Sequence, residues 1–217
     1  MIVTVFGDVH GNLIALEKLF KLEKDNTDLF ISHGDIVNYG PWSNECIQFL
    51  NDQNNCKVLK GNHEQFYLEG NYGGTNIIAK TFFEKCYENF DVNLLDVLNK
   101  YDEKIIIEDY TIKHTINDSY IFADTKLDDL ILDSNYIIGH SHQQFQRIVD
   151  DKLLINTGSI GQNRSYINQS CYINFDTITK KIVLKSFLHD IDKVINQMKI
   201  EKYPSLCTDY YLSKKRI

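Results

Sequence analysis

Ile2-Val3-Thr4-Val5-Phe6-Gly7-Asp8-Val9-His10-Gly11-Asn12 is an apolar β-run that ends at a glycine and then delivers an aspartate and a histidine on alternate positions of a short turn. Such a run suits a strand buried on both faces. From Asn12 to about Lys24, Leu13, Leu16, Leu19 and Phe20 fall on one helical face, with Glu17, Lys18 and Lys21 opposite. Leu29–Ser32 reads as the next strand and Ser43 as the cap of a helix to about Asn51. Cys56–Lys60 is the third strand and leads into Gly61-Asn62-His63. Strand–helix–strand–helix–strand in this order predicts a largely parallel sheet with helical crossovers. Ligands of such sheets collect at the carboxyl ends of the strands, and Asp8, Asp35 and Asn62 each lie just past one.

Residues 64–103 break this rhythm. Asn71-Tyr72-Gly73-Gly74 is a loop, followed by helices predicted over Thr75–Asn89 and Val92–Asn99. The stretch reads as a small helical cap beside the site, with plain packing on the sheet edge as the alternative. Short β-runs follow at Lys104–Glu108, Thr111–Lys113, Tyr120–Ala123, Tyr136–Ile138, Leu153–Ile155, Ser170–Phe175 and Lys181–Phe187, and predict a second sheet against the first. A helix from about Ile191 to Ile200 and a polar tail ending Lys214-Lys215-Arg216-Ile217 complete the chain; the tail's basic triplet reads as a solvated end.

A chain of 217 residues is expected to be one domain, residues 1–217, with residues 64–103 as a cap insertion within it. Hydrophobic residues at 43% and aromatics at 12% can bury a core, which excludes a disordered chain. A net charge of −7 argues against general nucleic-acid binding but not against a small phosphorylated substrate, since bound cations supply positive charge locally. Cys46, Cys56, Cys86, Cys171 and Cys207 are odd in number without a CxxC pair, and no signal peptide is apparent, so reduced thiols in a cytoplasmic protein are expected. No apolar run approaches membrane-spanning length, so no membrane association is expected.

Eight metal-friendly residues occur in a single order: Asp8 and His10, Asp35, Asn62 and His63, His114, then His140 and His142. The tight groups sit in glycine-marked turns, Gly7-Asp8-Val9-His10-Gly11, Gly34-Asp35, Gly61-Asn62-His63-Glu64 and Gly139-His140-Ser141-His142, each after a strand-like run. Each group alone is a weak signal. Gly-Asp is ordinary turn chemistry, Asn62 also reads as a helix start, and a lone histidine such as His114 is more often structural. Together, strand ends can bring oxygen and nitrogen ligands to one point, where two divalent cations clamp a phosphate and activate water. Asp35 suits a bridging position because a carboxylate can offer one oxygen to each of two ions. His33 reads as buried or supporting, His189 as structural, and Glu64 as a residue that caps or orients.

In its five ordered blocks, D-x-H, G-D, G-N-H-[DE], a lone H and G-H-x-H, the chain resembles the calcineurin-like metallophosphoesterases, from Asp8 to His142 and on to about Arg164. The resemblance implies an α/β fold, a two-sheet sandwich flanked by helices (αββα-type). It implies one ion held by Asp8, His10, Asp35 and His142, and a second by Asp35, Asn62, His114 and His140. A hydroxide bridging ions about 3.5–4 Å apart would attack phosphorus in line, and His63, not needed as a ligand, is free to protonate the leaving oxygen. The alternative for His63 is an orienting role behind the ligands. Mixed O and N ligation suits Mn, Fe, Zn, Ni or Co without choosing among them. Asn12, Tyr39 and Arg164 are candidate substrate contacts, with turn or surface roles as the alternative.

The chain departs from the family pattern at Thr115 after the lone histidine, at His33 where an apolar residue is usual, and at Thr157 and Asn163 where the N-P-G-S-x-G-x-P-R loop carries prolines. Asp35-Ile36-Val37-Asn38-Tyr39-Gly40-Pro41 also lacks the Asp-Arg-Gly of phosphoprotein phosphatases and symmetrical dinucleotide tetraphosphatases, and its wording resembles the small prokaryotic phosphoesterases. The expected activity is metal-dependent hydrolysis of small phosphate esters, with nucleotide and dinucleotide polyphosphates as candidates. The alternatives are a phosphodiesterase on cyclic nucleotides or nucleic-acid ends, and a catalytically silent protein-binding scaffold like the retromer subunit of this fold. The intact Asn62-His63 pair argues against the scaffold.

Overall fold

Side chains of β1 (Ile2–Phe6) divide between two cores: Val3 and Val5 enter one and Phe6 the other, following the two-residue repeat of a strand. The computed structural model describes residues 1–128 and 130–217. In it β1 is the middle strand of a five-stranded sheet ordered β10 (Ile182–Leu188), β9 (Gln169–Asp176), β1, β2 (Leu29–Ser32), β3 (Cys56–Val58). The β1–β2–β3 half is parallel, as the sequence predicts, and β9 and β10 join antiparallel.

A second five-stranded sheet runs β4 (Lys104–Ile107), β5 (Tyr110–Lys113), β6 (Asn135–Ile138), β8 (Lys152–Asn156), β7 (Phe145–Val149). Its central β5–β6–β8 pairings are parallel and its two edges antiparallel. Val3, Val5, Ile31, Ile173 and Phe175 of the first sheet meet Tyr110, Ile112, Ile137 and Ile155 of the second in one buried layer. Full burial of such side chains contributes roughly 1.5–3 kcal/mol each, so this layer fixes the two sheets face to face.

The outer face of the first sheet carries α1 (Leu13–Glu23), α2 (Ser43–Asn51), α6 (Ile191–Ile200) and α7 (Ser205–Leu212), whose buried residues include Leu16, Ile47, Val194 and Tyr211. The same cluster takes in Tyr67 of α3 (Asn62–Glu69), Phe82 of α4 (Ile77–Glu88) and Leu98 of α5 (Leu95–Asn99). The molecule is thus an α/β sandwich of two mixed sheets with flanking helices. Among the described residues no helix is long and apolar enough to cross a membrane.

Three local expectations differ from the structure. Tyr120–Ala123 is loop, not strand, because Ile121 turns inward with Ile116 and Leu132 to cover Ile138, Phe145 and Leu154 on the outer face of the second sheet. Ser43 does not cap α2; its hydroxyl accepts from the Asn38 N–H at 3.0 Å, and Trp42 holds the cap position without a side-chain bond. The chain's last stretch forms α7 where the sequence predicts only a polar tail, and the residues after it, exposed as a solvated end should be, are tied back: Ile167 N–H donates to Lys215 O at 2.9 Å, and Arg216 pairs with Asp192 at 2.8 Å.

Candidate metal centre and substrate cavity

Asp8, Asp35 and Asn62 follow the carboxyl ends of β1, β2 and β3, and His114 and His140 follow those of β5 and β6 or lie a residue beyond. One edge of the sandwich therefore receives side chains from both sheets. Asp8, His10, Asp35, His140 and His142 all have positive φ, between 48° and 67°, a left-handed backbone that non-glycine residues adopt at a cost of about 1–3 kcal/mol when the surroundings impose it. Five such residues around one point aim their side chains inward rather than along the chain.

The surroundings that impose this conformation are specific. Gly11 and Gly40 press backbone to backbone: a Cβ on Gly40 would lie 2.4 Å from Gly11 O, and one on Gly11 2.5 Å from Gly40 O. This contact clamps the Asp8–His10 turn onto the loop after Asp35. Glu64, fully buried, accepts four backbone N–H bonds, from Asp35 and Ile36 at 2.7 Å, Gly61 at 2.8 Å and Val37 at 3.2 Å. Burial and the Asp35 charge push its carboxyl up to about 7, while the N–H donors pull the other way. His140 N–H donates to Asp8 Oδ2 and His63 N–H to Asp35 Oδ1, both at 2.9 Å.

Three donor groups result among the described residues, two that share Asp35 and a third of Asp8, His33 and His114. Asp8, His10, Asp35 and His142 each bring one ligand atom within 4.8 Å of the others, and so do Asp35, His114 and His140. Asn62 Oδ1 joins the second group, 3.0 Å from His114 Nε2. Asp35 belongs to both. His10 Nδ1 lies 3.2 Å from Val37 O and His142 Nδ1 2.9 Å from Gln162 O. Carbonyls only accept, so each Nδ1 carries a proton and each neutral ring presents a bare Nε2, the usual way a carbonyl fixes the tautomer of a metal-binding histidine. These two Nε2 atoms lie 3.1 Å apart, where neutral rings repel unless a cation or a proton sits between them. Adjacent ligands of one cation with bonds of about 2.1 Å are spaced in this way. Asp8 Oδ1 is buried without a hydrogen-bond partner among the described residues. The donors present therefore fit divalent cations.

Electrostatics agree. Burial would raise Asp8 and Asp35, but the histidines outweigh it, His142 acting on Asp8 and His114 and His63 on Asp35, and hold both carboxylates below their usual range. Burial, then the charge of His114, pushes His140 down to about 4. Against the same burial, Asp35 lifts His114 to about 9; a bound cation takes the place of such a proton.

His63 stands beside the donor groups, with Nε2 3.9 Å from Asp35 Oδ2 and Nδ1 2.9 Å from the amide nitrogen of Asn38. The amide donates, so Nε2 bears the ring proton and faces the centre. A cavity of about 530 Å³ opens over His63, Asn62, His140 and His142. Tyr39 and Arg164 line it, Tyr39 with its ring centre 4.9 Å from that of His10. Asn12, expected at the substrate, is instead buried away from the cavity as the N-cap of α1: its Oδ1 accepts from Ala15 N–H and its amide nitrogen lies 3.0 Å from His189 Nε2. Residues 64–103 supply Phe66, Tyr72, Asn76 and Ile78 to the cavity wall.

Two departures from the family pattern turn out to be partners, because His33 Nε2 lies 2.7 Å from Thr157 Oγ1. Sequence reasoning missed Asn38, which offers no motif of its own, and Tyr210 and Lys214, which reach the cavity from the far end of the chain.

Residues 1–144 match the family model for calcineurin-like phosphoesterases. An uncharacterized protein of Methanocaldococcus jannaschii is 30% identical over 93% of this chain and 93% of its own. Among solved structures, a metallophosphoesterase from Sphaerobacter thermophilus superposes with a TM-score of 0.78 at 21% identity, covering 98% of each chain. A hypothetical protein of Pyrococcus horikoshii gives 0.81 at 16% identity, covering 97% of each. The chain belongs to the calcineurin-like phosphoesterase family and is a metal-dependent phosphoester hydrolase.

Proposed function

We propose that the protein hydrolyses small phosphate esters, with nucleotide and dinucleotide polyphosphates as the leading class, at a centre of two divalent cations. The observation that carries this reading is the pair of donor groups sharing Asp35. Bound there, cations supply Lewis acidity toward the phosphoryl oxygens and lower the pKa of water so that it is a nucleophile at neutral pH. The protein's own part is to position and to move protons. Asp8, His10 and His142 hold one side of the centre and Asn62, His114 and His140 the other. His63, with Nε2 directed at the cavity, serves in its imidazolium form as general acid to the leaving oxygen, a role typically worth ~10²–10⁴ in rate. The Asn38 side chain then turns its Oδ1, otherwise unpartnered among the described residues, to the Nδ1 proton.

The cavity wall supports an aromatic leaving group. Phe66 and Tyr72, centroids 5.0 Å apart, line the site together with Tyr39 and Tyr210, whose centroids lie 6.2 Å apart. Flat rings of this kind stack on any nucleobase. Residues 64–103 act in this reading as a cap that selects the substrate.

The test is turnover of bis-para-nitrophenyl phosphate and para-nitrophenyl phosphate by metal-stripped protein to which Mn²⁺ is returned. Metal-dependent release from either ester is expected, and the ratio separates diesterase from monoesterase. No release from either ester or from a dinucleotide polyphosphate, with metal bound, overturns the reading.

A further inference from the structure

Two cations of the cavity wall have no role at the metal centre. Arg164 donates from Nε to Ser141 O at 3.0 Å, which fixes it between His140 and His142 and leaves its terminal nitrogens free to face the cavity. Its guanidinium carbon lies 5.8 Å from the centre of the Tyr120 ring, which itself stacks on His140 at 4.0 Å. Lys214 reaches the same cavity from the end of α7, its Nζ 4.3 Å from the centre of the Tyr210 ring. Neither cation pairs with a carboxylate within 4.0 Å among the described residues. Asp118, the cavity's other acid besides Asp35, sits where the wall is shared with a neighbouring cleft lined by Lys60 and Glu103, to which neither Arg164 nor Lys214 contributes.

The backbone that carries Lys214 is held in place. Its N–H donates to Tyr211 O at 3.3 Å, Lys215 O accepts from Ile167 N–H, and the Asn168 side chain bonds both the N–H and the O of Ile217 at 3.1 Å. Burial, and after it the charge of Arg164, keep Lys214 below the usual lysine range. A chain of net charge −7 that brings two unpaired like charges to one wall of its substrate cavity gains from an anion placed between them.

We propose that Arg164 and Lys214 form a second phosphate subsite, for a phosphate linked to the one held at the metal centre, so that the preferred substrates are diphosphates or longer rather than monophosphates. Arg164, beside His140 and His142, takes the near side of that phosphate and Lys214 the far side. This assignment rests on the phosphoesterase reading for its metal centre, and adds the number of phosphates.

Titration calorimetry of the Mn²⁺-loaded protein with ADP and with AMP, at matched free Mn²⁺, tests the subsite without requiring turnover. ADP is expected to bind at least about tenfold tighter than AMP, as charge-assisted hydrogen bonds warrant. Lys214→Gln should erase most of that ratio and Lys214→Arg should retain it; Arg164→Gln gives a second, independent loss. Equal affinities for ADP and AMP, or losses that fall equally on both ligands in Lys214→Gln, overturn the subsite. An intact ratio in a protein that hydrolyses none of the esters above overturns the phosphoesterase reading and leaves the subsite standing.

Discussion

The side-chain amide of Asn38 lies 2.9 Å from Nδ1 of His63, and this single contact decides which nitrogen of the imidazole faces the metal centre with a proton. Asn38 is itself fully buried at φ 74°, its N–H given to Ser43, so the amide has little freedom to release the ring. Removing the contact with Asn38→Leu is expected to lower kcat about 10–100-fold with metal content unchanged. His63→Gln should cost ~10²–10⁴. Burial holds the His63 pKa below its ordinary value. A carboxylate in Asn38→Asp raises it, and because a general acid must be protonated, the alkaline limb of the pH–rate profile should move to higher pH. A profile that stays put would remove His63 from the proton-transfer step.

Glu64 extends the same logic to Asp35, which belongs to both donor groups that would hold the cations. Its four N–H donors come from the two loops that carry Asp35 and Asn62, so one carboxylate sets the spacing between them. Glu64→Gln replaces an acceptor oxygen by an NH₂ that faces N–H groups. The expected result is a loss of at least about 2 kcal/mol in urea unfolding together with weaker Mn²⁺ binding. A variant that keeps both stability and metal would show that the loops hold each other without it.

Much of this was readable before any coordinates because the donor residues are local in sequence: Asp8 and His10, or His140 and His142, are neighbours on one turn, and a strand end is recognisable from its apolar run. What escaped was long-range. Asn12 follows the D-x-H turn where a substrate contact and a helix cap look alike, and only the position of His189, far along the chain, decides for the cap. Lys214 belongs to a basic triplet that is exposed, as it reads, and only α7 and the bond from Ile167 to the next residue's carbonyl show that this exposed end borders the cavity. Phe145–Val149, not foreseen from its residues, forms an edge strand by pairing antiparallel with Lys152–Asn156.

Metal binding should register in stability. The facing Nε2 atoms of His10 and His142 and the unpartnered Asp8 Oδ1 are unfavourable without a cation. Ligand at a hundredfold its Kd stabilises by about 2.7 kcal/mol, and for a domain near 200 residues each kcal/mol is worth about 2–4 °C. Mn²⁺ is therefore expected to raise Tm by about 5–10 °C and EDTA to reverse it. In Asp8→Asn the gain should largely vanish and turnover collapse, with circular dichroism unchanged. A full Tm gain in that variant would place the cation elsewhere.

His189 gives the fold a pH dependence that metal does not explain. Asn12 donates to its Nε2 at 3.0 Å, and its Nδ1 lies 2.9 Å from Ser170 Oγ, whose hydroxyl is committed to Ile160 O. The ring is thus neutral, with the proton on Nδ1, and burial followed by the charge of Lys18 pushes its pKa from 6.5 down to about 4. With the folded pKa below the unfolded one, the unfolded chain takes up a proton first as pH falls. The contribution to stability is complete above pH 6.5 and is lost progressively toward pH 4. Urea unfolding of the wild type and of His189→Gln should therefore differ most at pH 7.5. That difference should narrow by about 2 kcal/mol at pH 5, because the variant has no imidazole to protonate. A gap that holds constant over this range would mean that His189 is not the group whose protonation loosens the junction between α1 and the strand pair β9–β10.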